Sequence, residues 1–339
     1  MTVLRRTDRG LYCAAGDFHV DPWAAVDRAV VTHAHGDHLA WGCGSYLTAA
    51  DGVGVAQQRL GGEASVRGLE YGEAIDVNGV RVSLHPAGHI LGSAQVRLEH
   101  RGEVWVVSGD YKTDPDPTCR AFEPVRCHTF ITESTFGLPV YRWPPQSAVL
   151  HDVNLWWRAN QQAGRTTLLY GYALGKAQRL LAGLDPSIGP ILTHGAVERM
   201  NAVYRAAGVQ LPPTTHAAAM DRSDRGRAIV LAPPSADGST WVRRFGEHAT
   251  AFASGWMLIR GTRRRRSLDR GFPLSDHVDW PSLMAAIDAT GATRILVTHG
   301  YTGPVVRWLL ERGLEAEAVE TRFEGERDDA PTPDSAEVE

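Results

Sequence analysis

Short runs of β-branched and aliphatic residues recur along this chain, each stopped by polar or glycine-rich sequence. They fall at residues 28–32, 80–84, 104–107, 129–132, 166–170, 228–232 and 294–298. Runs of this length and composition predict buried or half-buried strands. Between some of them the apolar positions take helical spacing, at residues 146–163, 176–184, 197–207, 281–289 and 304–312. Strands dominate the first part and mix with helices later, which predicts a layered α/β fold rather than an all-helical one. No segment repeats. Trp143, Pro144 and Pro145 break the pattern, and residues 261–271 are Arg-rich and poor in apolar side chains. The chain between these breaks has strand and helix signals of its own and reads as a small inserted domain. The expected division is residues 1–145 and 263–324 for the main domain, 146–262 for the insertion and 325–339 for a tail.

With 339 residues, 43% of them hydrophobic and 22% charged, the chain can bury a substantial core. Cys13, Cys43, Cys119 and Cys127 form no CxxC pair, and no secretion signal is read at the start, so the expectation is free thiols in a reducing cytoplasm. No apolar run approaches the roughly 20 residues that cross a bilayer. The net charge of −4 is concentrated at one end. Residues 324–339 hold seven acidic side chains and one Arg, net −6, which leaves the rest of the chain at +2. That tail, with two prolines and few large apolar residues, is expected to be disordered. The remainder can therefore present a basic surface, to which Arg263, Arg264, Arg265 and Arg266 contribute if they face a cleft. A solvated basic loop is the alternative.

The strand at 28–32 runs straight into His33-Ala34-His35-Gly36-Asp37-His38. Residues two apart on an extended segment project the same way, so His33 and His35 can grip one metal ion, with Asp37 and His38 offset toward a second. Four ligands cannot fill two sites, so further donors should stand at other strand ends. His89 follows the run at 80–84, Asp110 follows the one at 104–107, and His299 ends the one at 294–298. Alone each would read as a turn or capping residue; beside the first run they read as ligands. Asp21 could hydrogen-bond a ligand histidine, or only start the turn at Pro22. The turn from Gly171 to Lys176 leads from a strand into a helix, a geometry that favours phosphate, although a tight connection with a solvated lysine fits as well. His151, His194, His216 and His248 show no ligand spacing.

In these motifs the chain resembles the metallo-β-lactamase superfamily, and within it the β-CASP nucleases. His33 to His38, His89 and Asp110 match the successive metal motifs of the superfamily in order. Glu133 in Thr132-Glu133-Ser134-Thr135-Phe136-Gly137, His277 in Ser275-Asp276-His277-Val278-Asp279, His299 in Thr298-His299-Gly300 and the glycine-containing turn 171–178 match the β-CASP group. Gly10-Leu11-Tyr12-Cys13, Gly16-Asp17-Phe18 and Asp21-Pro22-Trp23 are similar to bacterial DNA ligase-associated exonucleases. The resemblance implies an αββα sandwich with an inserted β-CASP domain. It implies that His33, His35 and His89 hold one metal, Asp37, His38 and His299 another, and that Asp110 bridges them. The donor mixture suits zinc and leaves manganese open.

The function so implied is a DNA exonuclease, working 5′ to 3′ in repair, whose two metals activate a hydroxide. Asp37, Asp110, His277 and Glu133 would be catalytic, with His277 as general acid and Glu133 accepting its other ring N–H. Gly175, Lys176, Ser134, Arg263 and Arg264 would bind substrate. DNA with a free 5′ end, a DNA ligase and a helicase are the expected partners. An RNA-processing nuclease is the alternative, favoured by a histidine at position 299, and a metal-binding interaction protein without catalysis is a third reading.

Overall fold

The computed structural model describes residues 2–259 and 268–323. Arg263 and Arg264, with Arg265 and Arg266, lie outside the described residues, as does the acidic tail 325–339. The described residues divide into two compact units, residues 2–142 with 277–323, and residues 143–259 with 268–276.

The first unit holds two sheets. One is built from β1 (Arg5–Arg6), β2 (Leu11–Cys13), β3 (Phe18–Val20), β4 (Arg28–Val30), β5 (Ser45–Ala49) and β6 (Val66–Leu69), in that order. The other contains β7 (Ala74–Val77), β8 (Val80–Pro86), β9 (Ala94–His100), β10 (Glu103–Val107), β11 (Thr129–Ser134), β18 (Arg294–Gly300) and β19 (Glu315–Ala318), in the order β19-β18-β11-β10-β9-β8-β7. Alternation along a strand decides which layer each side chain joins. Trp105 and Val107 of β10 enter a core shared with Leu11, Phe18 and Val20 of the first sheet, so the sheets pack face to face. Val106, between them, points the other way and joins Leu283 and Ile287 of α5 (Trp280–Thr290) and Leu309 of α6 (Thr302–Glu311). On the first sheet α1 (Val53–Leu60) packs against β6. The layers run helix, sheet, sheet, helix.

The second unit is one parallel sheet of β12 (Thr166–Tyr170), β13 (Ile191–Thr193), β14 (Thr215–His216), β15 (Ile229–Ala232), β16 (His248–Ala253) and β17 (Arg270–Phe272), ordered β14-β13-β15-β12-β16-β17. Its central strands β12 and β15 are buried on both faces and so read as continuous apolar runs. Leu169, Ile229 and Leu231 pack against α2 (Gln146–Gln162), α3 (Lys176–Ala182) and α4 (Gly195–Ala206). Leu168, Val230 and Phe252 face Trp241, Val242 and Phe245. This unit runs to Asp276, beyond the expected end at 262, because β17 pairs with β16 in its sheet. Three residues after an Arg-rich segment offered no periodicity from which to read that strand. No helix among the described residues is long and apolar enough to cross a membrane, and no disulfide joins the four cysteines.

Inside the second unit Asp276 meets two buried cations. Its carboxylate lies 3.2 Å from Lys176 Nζ and 3.0 Å from Arg179 Nε, and Arg179 also donates to Gln146 Oε1 at 3.0 Å. Removing one partner of a buried pair leaves a charge far less well compensated, at a cost of about 3–5 kcal/mol. We predict that Asp276→Ala destabilises the second unit by that amount in urea unfolding. Loss of less than 1 kcal/mol would show that this buried pairing contributes little to the stability of the unit.

Candidate metal centre

All the donors expected from the sequence come from the first unit, and most stand at strand ends. Strands β10, β11 and β18 are parallel neighbours, so their carboxyl ends lie on one side. Asp110 follows the first, Glu133 lies in the second and His299 in the third. Between Thr132 and Ser134 of β11 the partner register moves from Val297 to Gly300, which puts one extra residue into β18 at Thr298 and His299. A bulge of this kind bends a strand and re-aims a side chain; here it lies at His299. Gly88 and Gly109, with φ of +74° and +57°, precede His89 and Asp110. A Cβ would lie 2.2 Å from Lys112 O at Gly88 and 2.5 Å from Thr32 Oγ1 at Gly109, so only glycine fits either turn.

Four donors form a first group, His33, His35, His89 and Asp110, with ligand atoms within 4.8 Å of one another. His33 Nε2 is 3.2 Å from His35 Nδ1, which is 3.0 Å from His89 Nε2. Asp110 Oδ2 lies 3.5 Å from His33 Nε2 and 3.9 Å from His89 Nε2. Ligands about 2.0–2.1 Å from a tetrahedral ion stand roughly 3.3 Å apart, so this spacing fits one. Burial holds the His33 pKa down at about 3, with His38 adding to the shift, and burial with the neighbouring His33 and His35 holds His89 well below its ordinary value. Both rings are thus neutral, as ligation requires.

The other half of the centre uses the second oxygen of Asp110. His299 Nε2 lies 3.2 Å and His38 Nε2 3.6 Å from Asp110 Oδ1, and Asp37 Oδ2 is 3.6 Å from His38 Nε2. Asp110 Oδ1, His38 Nε2 and His299 Nε2 are buried and make no hydrogen bond. Three orphaned donors converging from three segments are what a cation would satisfy. Asp110, Glu133 and His299 form a second group within 4.8 Å, so Glu133 stands close enough to take part. Burial opposes charge on His38, yet Asp37, Asp110 and Asp21 overcome it and raise its pKa to about 10. Burial would likewise raise Asp110, but His38, His277 and His299 hold its carboxyl well below the usual carboxylate range. These buried His and Asp groups can hold metal ions.

Partners behind the donors fix how they point. Asp21 is fully buried and accepts the Thr32 N–H at 2.7 Å, while its Oδ2 lies 2.8 Å from His38 Nδ1, leaving Nε2 to face Asp110. The Glu133 carboxylate stands 2.9 Å from His277 Nδ1 and accepts the Tyr111 N–H at 2.9 Å. The His277 ring is 4.9 Å from that of His89, centroid to centroid.

Three of the expected substrate contacts are engaged inside the protein. Ser134 is fully buried, and its hydroxyl donates to the His299 carbonyl at 2.8 Å, tying β11 to β18. Gly175 is the cap of α3, its N–H donating to Gln178 Oε1 at 2.8 Å, and that helix has only seven residues. Lys176 is fully buried and donates to the Leu274 carbonyl at 2.9 Å as well as pairing with Asp276. A glycine followed by lysine at a strand-to-helix turn looks the same in sequence whether the ammonium faces solvent or a buried carboxylate.

No protein-family model matches the chain. A probable DNA ligase of Opitutus terrae is 33% identical over 313 residues, 91% of this chain and 30% of that one. Cleavage and polyadenylation specificity factor 73 of Drosophila melanogaster is 31% identical over 186 residues, 50% of this chain and 27% of the relative. Endoribonuclease YSH1 of Saccharomyces cerevisiae is 30% identical over 119 residues, 34% of this chain and 15% of the relative. The chain therefore spans less than a third of the length of each. Its layered α/β fold and buried His/Asp centre agree with these similarities. The chain belongs to the metallo-β-lactamase superfamily, in its β-CASP group.

Because the two groups share one carboxylate, its loss should disturb both. We predict that Asp110→Ala retains its fold but loses most of the transition metal found by elemental analysis in the unaltered protein. Full metal content in Asp110→Ala would show that the carboxylate is no ligand.

Proposed function

We propose that the chain is a metal-dependent nuclease that hydrolyses DNA phosphodiesters from a 5′ end, in the cytoplasm, in DNA repair. The observation that carries this reading is the meeting of the two donor groups on Asp110, with the His277–Glu133 pair beside them. His33, His35 and His89 would hold one divalent ion, Asp37, His38 and His299 the other, and Asp110 both, with zinc favoured over manganese by the nitrogen-rich donor set. Bound there, two ions supply Lewis acidity and a water acidic enough to attack phosphorus at neutral pH.

The remaining task is protonation of the leaving oxygen. His277 suits it, because its Nδ1–H donates to Glu133 and so keeps Nε2 for the proton that is transferred. The buried carboxylate stabilises the imidazolium before transfer and holds the ring at a fixed angle. In this reading Glu133 acts through His277, and the second unit, residues 143–276, corresponds to the inserted β-CASP domain.

Similarity over 91% of this chain to part of a probable DNA ligase favours DNA as substrate and a working association with a ligase, since trimmed ends are what a ligase joins. A helicase would supply unwound ends to the same step. The match to an endoribonuclease over 119 residues favours the second reading, cleavage of RNA. Contacts outside the metal centre must make that choice, as attack on phosphorus is indifferent to a 2′-hydroxyl.

Two outcomes follow. His277→Ala should keep its metal and lose roughly 10²–10⁴-fold in turnover, with much of the loss recovered on a substrate whose leaving group needs no proton; no recovery would remove His277 from the acid role. With zinc or manganese supplied, 5′-labelled single-stranded DNA should be shortened stepwise from that end. Efficient degradation of RNA beside untouched DNA of the same sequence would overturn the DNA reading.

A further inference from the structure

Beyond Ala318 the chain continues as a strap over the first unit. The Val319 N–H donates to the Val297 carbonyl at 2.8 Å, prolonging the pairing of β19 with β18, and the Arg6 guanidinium donates to the Glu320 carbonyl at 2.6 Å. The strap then carries Phe323 into the interior, where it is 7% exposed. Trp23 meets its ring edge-on, with centroids 6.0 Å apart.

There the Phe323 ring lies flat on His38, with centroids 4.3 Å apart and planes only 16° from parallel. It also meets His299 edge-on at 5.9 Å. One aromatic side chain thus touches two of the residues whose Nε2 atoms are buried without a hydrogen bond. The bond from Asp21 to His38 Nδ1 does not by itself fix that ring, since a hydrogen bond tolerates tens of degrees of misalignment, weakening steeply only below an angle of about 120°. That much swing would carry Nε2 off its aim at Asp110. A flat apolar ring stacked on the imidazole removes the freedom. It also keeps water from the back of the ligand, which strengthens the pull of Asp21 across a less polarisable medium.

We propose that Phe323 is a positioning residue for the second metal ion, holding the His38 imidazole so that its Nε2 meets Asp110 Oδ1 and His299 Nε2 at one point. The inference rests on the two-ion reading above.

The test reads metal binding, not activity. The whole chain, stripped with a chelator, is titrated with Zn²⁺ against a chromophoric competitor, giving the number of sites and a Kd for each. The unaltered protein should show two sites. Phe323→Ala should keep one at its original Kd and weaken the other about 10–100-fold, the range for lost partners behind a ligand. Phe323→Tyr, which keeps the flat face, should bind as the unaltered protein does. Phe323→Leu keeps most of the volume without the face and should weaken the same site; it carries the test if circular dichroism shows that the alanine variant has not folded. Two unchanged sites in the folded variants overturn the role of Phe323 and leave the two-ion reading standing. Fewer than two sites in the unaltered protein overturns both.

Discussion

Lone pairs converging on Asp110 set the terms for the first unit. Its two oxygens stand 3.2–3.9 Å from four histidine nitrogens, all within buried side chains. A carboxylate taken out of water costs several kcal/mol unless it is well paired, and neutral imidazoles offering lone pairs repay none of that. Bound cations would supply the positive charge and leave the rings neutral; without them burial opposes charge on His38, but Asp37, Asp110 and Asp21 raise its pKa to about 10. The two glycine turns, the β18 bulge and the partners behind each ring all serve to hold donors together that would otherwise separate.

That constraint also explains how much could be read before the fold was seen. His33, His35, Asp37 and His38 lie within six residues and announce themselves, and His89, Asp110 and His299 could be found because each ends an apolar run. Glu133 and His277 needed the family resemblance, since a buried acid in β11 and a histidine before a helix have no spacing that joins them. The first sheet was almost invisible. Strands of two or three residues, such as β1 to β3, are too short to display a period, and their order depends on pairing that no local pattern records.

For two residues expected to bind substrate, the sequence did not show the partners that burial gives them. Lys176 and Asp276 are 100 residues apart, so the ion pair that absorbs the ammonium could not be anticipated from the turn that contains it. Ser134 was likewise drawn away by a carbonyl 165 residues on. Phe323 left no trace at all, as a single phenylalanine at the start of an acidic stretch has neither period nor motif. Asp21 is the opposite case. Its neighbour Pro22 suggested a turn, and the turn is what carries the carboxylate under His38, with a φ of +43° at Asp21 itself.

The parallel pairing of β11 with β18 has a consequence for the way the protein is made. On a ribosome adding roughly 5–20 residues per second, β11 emerges many seconds before the strand that must lie beside it. Throughout that interval the whole second unit, residues 143–276, is being synthesised, while an edge of the first waits unpaired. Loops closed over such a distance form slowly. The nascent chain therefore carries its early histidines without His277 or His299, and the donors around Asp110 can come together only after the whole second unit has been made.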